Sequence, residues 1–512
     1  MANSGTDGVS YTWGLYRELD PTFLNYVSVL SGYRPKDLEK PFSYCDLGCG
    51  NGVTINALAA VFPHAEFHGI DVDKTHIGNA AAIAEGAGLA NAKFFAADFG
   101  NLQDDDYPTY DYIVLHGVYA WVDPSSRDAV RRFIGKHLNP GGVVYVSYNA
   151  MPGWSAFAPL RDAVINHTMA MGVDPLMKAQ AGLDYLSFLA ANDAGFFADN
   201  PPAKAFLEEI KKQDLAYVVH EFFSDQLKPY YFHQVAAEMR SVGVSFAGSA
   251  VLHTNMIDIA APAEFHKLLR DAASRNEFEQ RGDFIRNTRF RKDVYVRKDR
   301  PDLTAEEQTD LLAAIPFGLN CAPANFAHSA QFGEVRLSYE SDIFLGAVEA
   351  LANGARTVDQ LCATPELSRY DRELLVDAMK FLTAGGQVVP FGKATMAADA
   401  GQLSAERYSF SAKVNVEFLK RRLFAAPTIG FSAPQAGTII ELPMADALFA
   451  LCSVEATRNE VSSWAFQRMI EARQQLTFEE GTETEAIASA VADFRETRLP
   501  KLLELGILVP AA

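Results

Sequence analysis

The sequence predicts an α/β protein built on a doubly wound sheet, followed by a mainly helical region. Apolar runs of strand length alternate with helix-length segments from Phe42 to Tyr148, the βαβα rhythm of a parallel sheet. A glycine-rich turn, Asp46-Leu47-Gly48-Cys49-Gly50-Asn51-Gly52, joins the first of those strands to the first of those helices. Beyond Arg300 the strand-length runs thin out and helical periodicity takes over.

Taken in order, the aromatic-rich stretch Tyr11-Thr12-Trp13-Gly14-Leu15-Tyr16-Arg17-Glu18-Leu19 leads into a helix that runs through Leu30. Phe42–Leu47 reads as a strand, Asn51–Phe62 as a helix and Glu66–Ile70 as a strand. Lys74–Gly88 is a helix ended by its glycine. Lys93–Ala97 and Tyr110–Leu115 are strands, and Ser125–Leu138 is a helix stopped by Asn139-Pro140-Gly141-Gly142. Val143–Tyr148 is the next strand. After Trp154, itself expected in the core, the periodicity is helical to about residue 230. Val244–Ser249 and Asp293–Lys298 are read as a hairpin that completes the same sheet. The expected organisation is therefore a first domain over 1–300, with a helical insertion over about 155–230, and a second region over 301–512. Within the latter, Phe381–Pro390 and Leu502–Pro510 look alike: helix end, glycine, short β run, proline. Two modules of winged-helix type fit that pattern.

The chain of 512 residues is too long for a single core. Its formal charge is −19, and residues 301–512 hold 28 acidic against 17 basic residues, so they carry 28 − 17 = 11 of those negative charges. That balance disfavours nucleic acid as a partner. No apolar run reaches the length of a membrane span, and Met1 to Ser10 shows no basic-then-apolar signal. A cytoplasmic location without membrane insertion is expected. The five cysteines form no C-x-x-C pair, which points to reduced thiols and away from a metal site. Cys45 and Cys49 are expected to be small packing residues.

Chemistry is concentrated at the ends of the predicted strands. Glycines in the Asp46–Gly52 turn let the backbone bend sharply and approach a ligand, and a loop opening onto a helix N-terminus suits a nucleotide-like group. A lone G-x-G-x-G is weak evidence, because many tight turns carry it. Asp71, followed by Val72, ends the second strand, where a carboxylate can accept two ribose hydroxyls. Asp98 and Phe99 follow the third, where an acid can take an adenine amine hydrogen and a ring can stack on the base. His116-Gly117-Val118-Tyr119-Ala120-Trp121 follows the fourth. Alone, each acid is equally well a cap or a solvated group.

Together these four features resemble the class I S-adenosylmethionine-dependent methyltransferases. The resemblance implies a Rossmann-like seven-stranded sheet and S-adenosylmethionine as cofactor. It implies a cofactor site of Tyr11, Tyr16, Asp46, Gly48, Cys49, Gly50, Asn51, Asp71, Val72, Asp98, Phe99 and His116, with Asp71 on the ribose and Asp98 on the adenine. It narrows through the Tyr11–Leu19 stretch, His116–Val122, Val144–Trp154, His220-Glu221-Phe222-Phe223 with Pro229–His233, and Arg286–Arg291. These look like the bacterial methyltransferases that bear a methyltransferase regulatory domain, here about 216–300, among them the rickettsial protein lysine methyltransferases. A protein lysine as acceptor is what that likeness implies, and a homodimer is allowed for. A small molecule or surface glycan as acceptor is the alternative, and a non-catalytic cofactor-binding scaffold a third reading that the intact loop, Asp71 and Asp98 oppose.

For the acceptor end, His116, Tyr119, Trp121, Tyr148 and Asn149 are the catalytic candidates. His116 can accept a proton or orient an amine, and it can equally be a histidine bonded to backbone. The aromatic residues can wall an apolar slot and Asn149 can hydrogen-bond the acceptor. His220, Glu221, Tyr230, Tyr231 and His233 are placed in a loop expected to roof the same slot. Arg286 and Arg289 are expected to pair internally with carboxylates.

Overall fold

The computed structural model describes residues 13–102, 107–215, 218–219, 227–472 and 482–511. Tyr11, His220 and Glu221 therefore lie outside the described residues. A seven-stranded sheet organises the first part of the chain, in the order β3-β2-β1-β4-β5-β7-β6. Its strands are β1 (Ser43–Leu47), β2 (Glu66–Asp71), β3 (Ala92–Ala96), β4 (Tyr110–Leu115), β5 (Leu138–Asn149), β6 (Ser245–Ser249) and β7 (Phe290–Val296). The first five pair in parallel. β7 runs antiparallel between β5 and β6. The sheet is thus mixed and Rossmann-like. Its strand order reverses between β1 and β4, the place where such sheets open a crevice beyond the strand C-termini.

Four helices flank the parallel part: α1 (Pro21–Leu30), α2 (Val53–Val61), α3 (Lys74–Ala87) and α4 (Pro124–His137). Three of them start on an aspartate whose side chain accepts N–H groups of the first turn: Asp20 for α1, Asp73 for α3 and Asp123 for α4. Asp20 and Asp123 are each followed by proline at the first helical position, where the missing N–H costs nothing. Strand alternation divides the core into two layers. Tyr44, Tyr112, Val114, Val143 and Tyr145 face the layer that holds α1 and α2. Cys45, Ile113, Leu115, Val144, Val146 and Tyr148 face the layer that holds α4 and the helix Phe232–Ser241. Trp154 belongs to the second layer, as expected.

Two expectations change. Asn139-Pro140-Gly141-Gly142 does not separate α4 from a strand at Val143, because β5 already begins at Leu138 and Gly141 N–H bonds back to the Arg297 carbonyl. The last two strands are antiparallel neighbours but not a tight hairpin. Helices including Ile257–Ala260 and Arg275–Arg286 lie between them. The inserted layer comprises α5 (Ala158–Thr168), α6 (Pro175–Ala191), α7 (Gly195–Asp199) and α8 (Pro201–Ile210), with a small core of its own around Val164, Leu183 and Leu207.

A buried charge cluster fastens β7 to the helix Arg275–Arg286. Arg291 donates to Asp283, Glu279 and Asp293, all of them buried. The expectation for Arg286 holds, at 3.9 Å from Asp283. Arg289 instead lays its guanidinium on the Phe157 ring, 4.5 Å from the centroid.

Beyond residue 300 the chain twice closes a pair of short strands around a hairpin and helices, the second time with the helix Lys413–Arg422 ahead of the hairpin. β8 (Phe317–Leu319) pairs with β11 (Val388–Pro390) around the hairpin β9 (Ser329–Phe332) and β10 (Val335–Ser338). β12 (Tyr408–Phe410) pairs with β15 (Leu508–Pro510) around the hairpin β13 (Thr428–Ala433) and β14 (Thr438–Pro443). The two look-alike segments are the closing helix, glycine and strand of each round. Gly386 and Gly506 take φ of +70° and +64° there, a conformation glycine reaches at little cost.

This C-terminal part packs on the α1/α2 layer and continues its core. Ser432 donates to the Ala57 carbonyl in α2. Thr438 donates to Asp20, the cap of α1, and Thr22 donates to the Gly437 carbonyl. The segment before α1 is held likewise: Arg17 donates to Asn320, and Arg422 lies over the Trp13 ring.

Candidate functional site

A cleft opens at the switch point between β1 and β4, lined by Gly14, Tyr16, Leu19, Asp46, Gly48, Cys49, Gly50, Asn51, Val53, Thr54 and His116. Its floor is backbone. Gly48, Gly50 and Gly52 take φ of +86°, +51° and +67°, a region that side-chain-bearing residues seldom enter. A Cβ on Gly48 would lie 2.3 Å from Val118 Cγ2, and one on Gly52 2.5 Å from Ala80 Cβ. Both glycines are thus fixed by space as well as by backbone angle. The turn is tied to β2: Gly48 and Cys49 donate their N–H groups to the Ile70 carbonyl, at 2.7 and 3.2 Å.

Asp71 sits at the tip of β2. One carboxylate oxygen accepts Gly50 N–H at 2.9 Å and the other accepts Asp73 N–H at 2.9 Å. Its neighbour Asp73 caps α3, so of the two acids it is Asp71 that touches the glycine turn. Asp46 is buried, and burial together with the Asp71 charge pushes its carboxyl up to about 8. Asn51 accepts from Asn79, while its own buried Nδ2 has no partner among the described residues. Thr54 Oγ1 accepts Tyr16 N–H at 3.0 Å, which fastens the N-terminal segment across the cleft. Val72 is 66 % exposed, and Asp98 caps the short turn Phe99–Asn101 by accepting Gly100 N–H. β2 and β3 place these residues side by side, with Ala97 N–H bonded to the Asp71 carbonyl.

His116 forms the opposite wall. Its ring stacks on Tyr16 with centroids 3.8 Å apart. Nδ1 lies 3.1 Å from Tyr145 Oη and 3.4 Å from Ser147 Oγ. Burial pushes the imidazole down to about 4 against the opposing pull of Glu18, so it is neutral at physiological pH.

The structure brings Tyr16, Asp46, Gly48, Cys49, Gly50, Asn51 and His116 onto one cleft, with Asp71 bonded to its rim. It does not bring Tyr119, Trp121 or Tyr148 there. Tyr148 is fully buried in the opposite sheet layer, and its hydroxyl donates to Asp293 at 2.7 Å. The period-two alternation of β5 puts Tyr145, Ser147 and Asn149 on the cleft side and turns Tyr148 away. Tyr119 is also fully buried. Its hydroxyl donates to Glu238, and its ring meets Tyr230 at 6.3 Å with Arg127 beside both. Trp121 packs on the same layer. Tyr119 and Tyr148 thus lie in the opposite layer, away from the cleft, and Trp121 is half-buried against it. Asn149 keeps the right face, and its buried Oδ1 has no partner among the described residues. Tyr231 stacks on His233 and on Phe284, with centroids 5.7 and 6.3 Å apart.

Sequence reasoning missed Glu18, Thr54, Tyr145, Ser147 and Lys292. For Tyr145 and Ser147 the signal was available, since they share strand parity with Asn149. For Glu18 and Lys292 there was none, because 274 residues separate them.

Comparison with known proteins gives a consistent result. The family model described as a methyltransferase domain matches residues 38–172, and that described as a predicted methyltransferase regulatory domain matches residues 214–297. An uncharacterized protein of Synechocystis sp. is 30 % identical over 98 % of this chain and 98 % of its own length. An uncharacterized protein of Rickettsia prowazekii is 26 % identical over 57 % of this chain and 52 % of its own. Among solved structures, PKMT2 from Rickettsia typhi in complex with AdoHcy superposes with a TM-score of 0.74 at 20 % identity, covering 97 % of this chain and 99 % of that one. Its fold, C-terminal region included, is the fold described above.

Proposed function

The chain belongs to the methyltransferases that carry a methyltransferase regulatory domain, and on that premise we propose that its acceptor is the side-chain amine of a lysine in a protein. It is an S-adenosylmethionine-dependent methyltransferase. The observation that carries the reading is the cleft at the switch point, with a backbone cradle on one wall and a neutral histidine on the other.

The cleft fits the cofactor on its own terms. Gly48, Gly50 and Gly52 present backbone without side chains at positive φ, and the buried Asn51 Nδ2 is a donor in want of an acceptor, a costly state unless a ligand relieves it. The glycine turn, Asn51 and Asp71 would hold it, with Val72, Asp98 and Phe99 beside its base and Tyr16 over the bound group. When bound, S-adenosylmethionine supplies an already activated methyl group on a sulfonium. The protein's own task is then to position a nucleophile and exclude water. An amine must be neutral to act, and a buried apolar wall disfavours the ammonium form. The Tyr16 ring gives that wall its apolar face, and Asn149 Oδ1 is an acceptor suited to an N–H of the incoming amine. The likeness to rickettsial PKMT2 supports an amine acceptor on a protein. We further place the catalytic unit in 1–300, with 301–512 as two related modules packed behind the cofactor wall.

The test is transfer of tritium from labelled S-adenosylmethionine into a lysate that is then separated into protein, glycan and small-molecule fractions. Label in the protein fraction, recovered as methyl-lysine after hydrolysis, is the expected result. Label confined to glycan or small molecules overturns the lysine reading.

A further inference from the structure

We propose that the ion pair Glu18–Lys292 is a positioning device that keeps the proton of His116 on Nδ1, so that Nε2 faces the cleft as a hydrogen-bond acceptor for the substrate amine. The last clause rests on the amine reading above; the proton's position does not.

Three remote segments meet here. Glu18 lies on the short turn Arg17–Leu19 that precedes α1, Lys292 on β7 and His116 just past β4. Lys292 Nζ donates to Glu18 Oε1, and the same oxygen stands 3.9 Å from His116 Nδ1. Nδ1 is therefore surrounded by oxygen: the carboxylate, Tyr145 Oη at 3.1 Å and Ser147 Oγ at 3.4 Å. Ser147 Oγ already takes Gly117 N–H at 2.8 Å. Tyr145 Oη is the nearest of these oxygens and can accept the imidazole N–H. Which ring nitrogen carries the proton is decided by the partner of the other, and here every described partner is on the Nδ1 side. The Tyr16 ring, 3.8 Å away, fixes the plane of the imidazole.

Stability does not account for the pair. Glu18 and Lys292 side chains are only 16 % and 31 % exposed, and burying such a pair seldom repays its desolvation. Its position beside the one histidine of the cleft wall gives it a use. The Lys292 ammonium keeps Glu18 ionised despite burial, and the carboxylate in turn favours an N–H aimed at it. The charged and titratable groups facing His116 are Glu18, Lys292, Tyr145 and Tyr16.

The test uses the full chain, deuterated and labelled with ¹⁵N-histidine, with no acceptor present. Two-bond proton–nitrogen correlations read the tautomer, and His116→Gln identifies the His116 signals. The wild type should show the Nδ1–H pattern. Glu18→Gln should lower the imidazole pKa, because an attractive charge is lost. Lys292→Gln should raise it, because a repulsive charge is lost and the carboxylate is left unbalanced. A purely packing role would admit water in both variants and raise both values. An Nε2–H pattern in the wild type, or shifts of the same sign in the two variants, overturns the proposal. Should Glu18→Gln not fold, Glu18→Asp takes its place and must keep the Nδ1–H pattern. On the labelled protein fraction, Glu18→Gln should also lose more than about tenfold in turnover while S-adenosylmethionine affinity, measured by calorimetry, stays within about twofold. If no protein takes label, the amine reading fails, and the tautomer experiment still decides the role of the pair.

Discussion

The two walls of the cleft are built in different ways. The cofactor wall is local. One turn of seven residues, Asp46–Gly52, supplies it, and Asp71 and Ile70 of the adjacent strand fasten it through backbone N–H groups. The acceptor wall is assembled. Tyr16 and Glu18 come from before α1, His116 from the end of β4, Tyr145 and Ser147 from β5, and Lys292 from β7. The first wall is made of backbone angles and the absence of side chains. The second is made of charges and rings that find one another only in the folded sheet. A cofactor shared by many reactions can be held by the first kind of wall. Matching a particular acceptor needs the second.

The contrast can be broken at either wall. The largest effect is expected from Gly50→Val. It forces a β-branched residue to φ near +51° and displaces the N–H that Asp71 accepts. S-adenosylmethionine binding should become undetectable by calorimetry while circular dichroism stays native. Retained affinity in a folded variant would mean that the glycine turn is not the cofactor wall.

The assembled wall should reveal itself through pH. Burial lowers the folded-state pKa of His116 from 6.5 to about 4, so between those values the unfolded chain binds the proton more readily. Stability from this group is complete above about pH 6.5 and is lost as pH falls toward 4, by up to about 3 kcal/mol. Urea unfolding at a series of pH values should show that slope, and His116→Gln should flatten it. An unchanged slope in His116→Gln would place the acid sensitivity elsewhere.

Asp71→Ala comes next. It removes charge-assisted hydrogen bonds worth roughly 1.5–3 kcal/mol, so cofactor affinity should fall about tenfold to hundredfold. A loss below about threefold would shift the role to Asp73, the exposed cap of α3. The smallest effect is expected at the seam between the walls and the C-terminal part. Thr438→Val removes the bond to Asp20, one buried hydrogen bond of about 1 kcal/mol. Thermal melting should drop by about a degree, and cofactor affinity should weaken slightly because α1 anchors the Tyr16 segment. A variant with unaltered melting would show that the contact is not needed to hold α1.

The sequence by itself determined the elements and the first wall. The glycine turn, the alternation along β1 to β5, the aspartate and proline at helix starts and the glycines ahead of the two closing strands are all short-range patterns, because backbone conformation is decided within a few residues. It also placed β6 and β7 in the sheet, though not the long helical connection between them. Tertiary structure alone decided the second wall. Tyr119, Trp121 and Tyr148 follow the right strands, yet pleat and packing turn them into the opposite layer. Glu18 and Lys292 carry no mark in the sequence that singles them out. They meet because β7 inserts beside β5 and the C-terminal modules press the N-terminal segment onto the sheet, and an ion pair between residues so far apart exists only once the chain has closed.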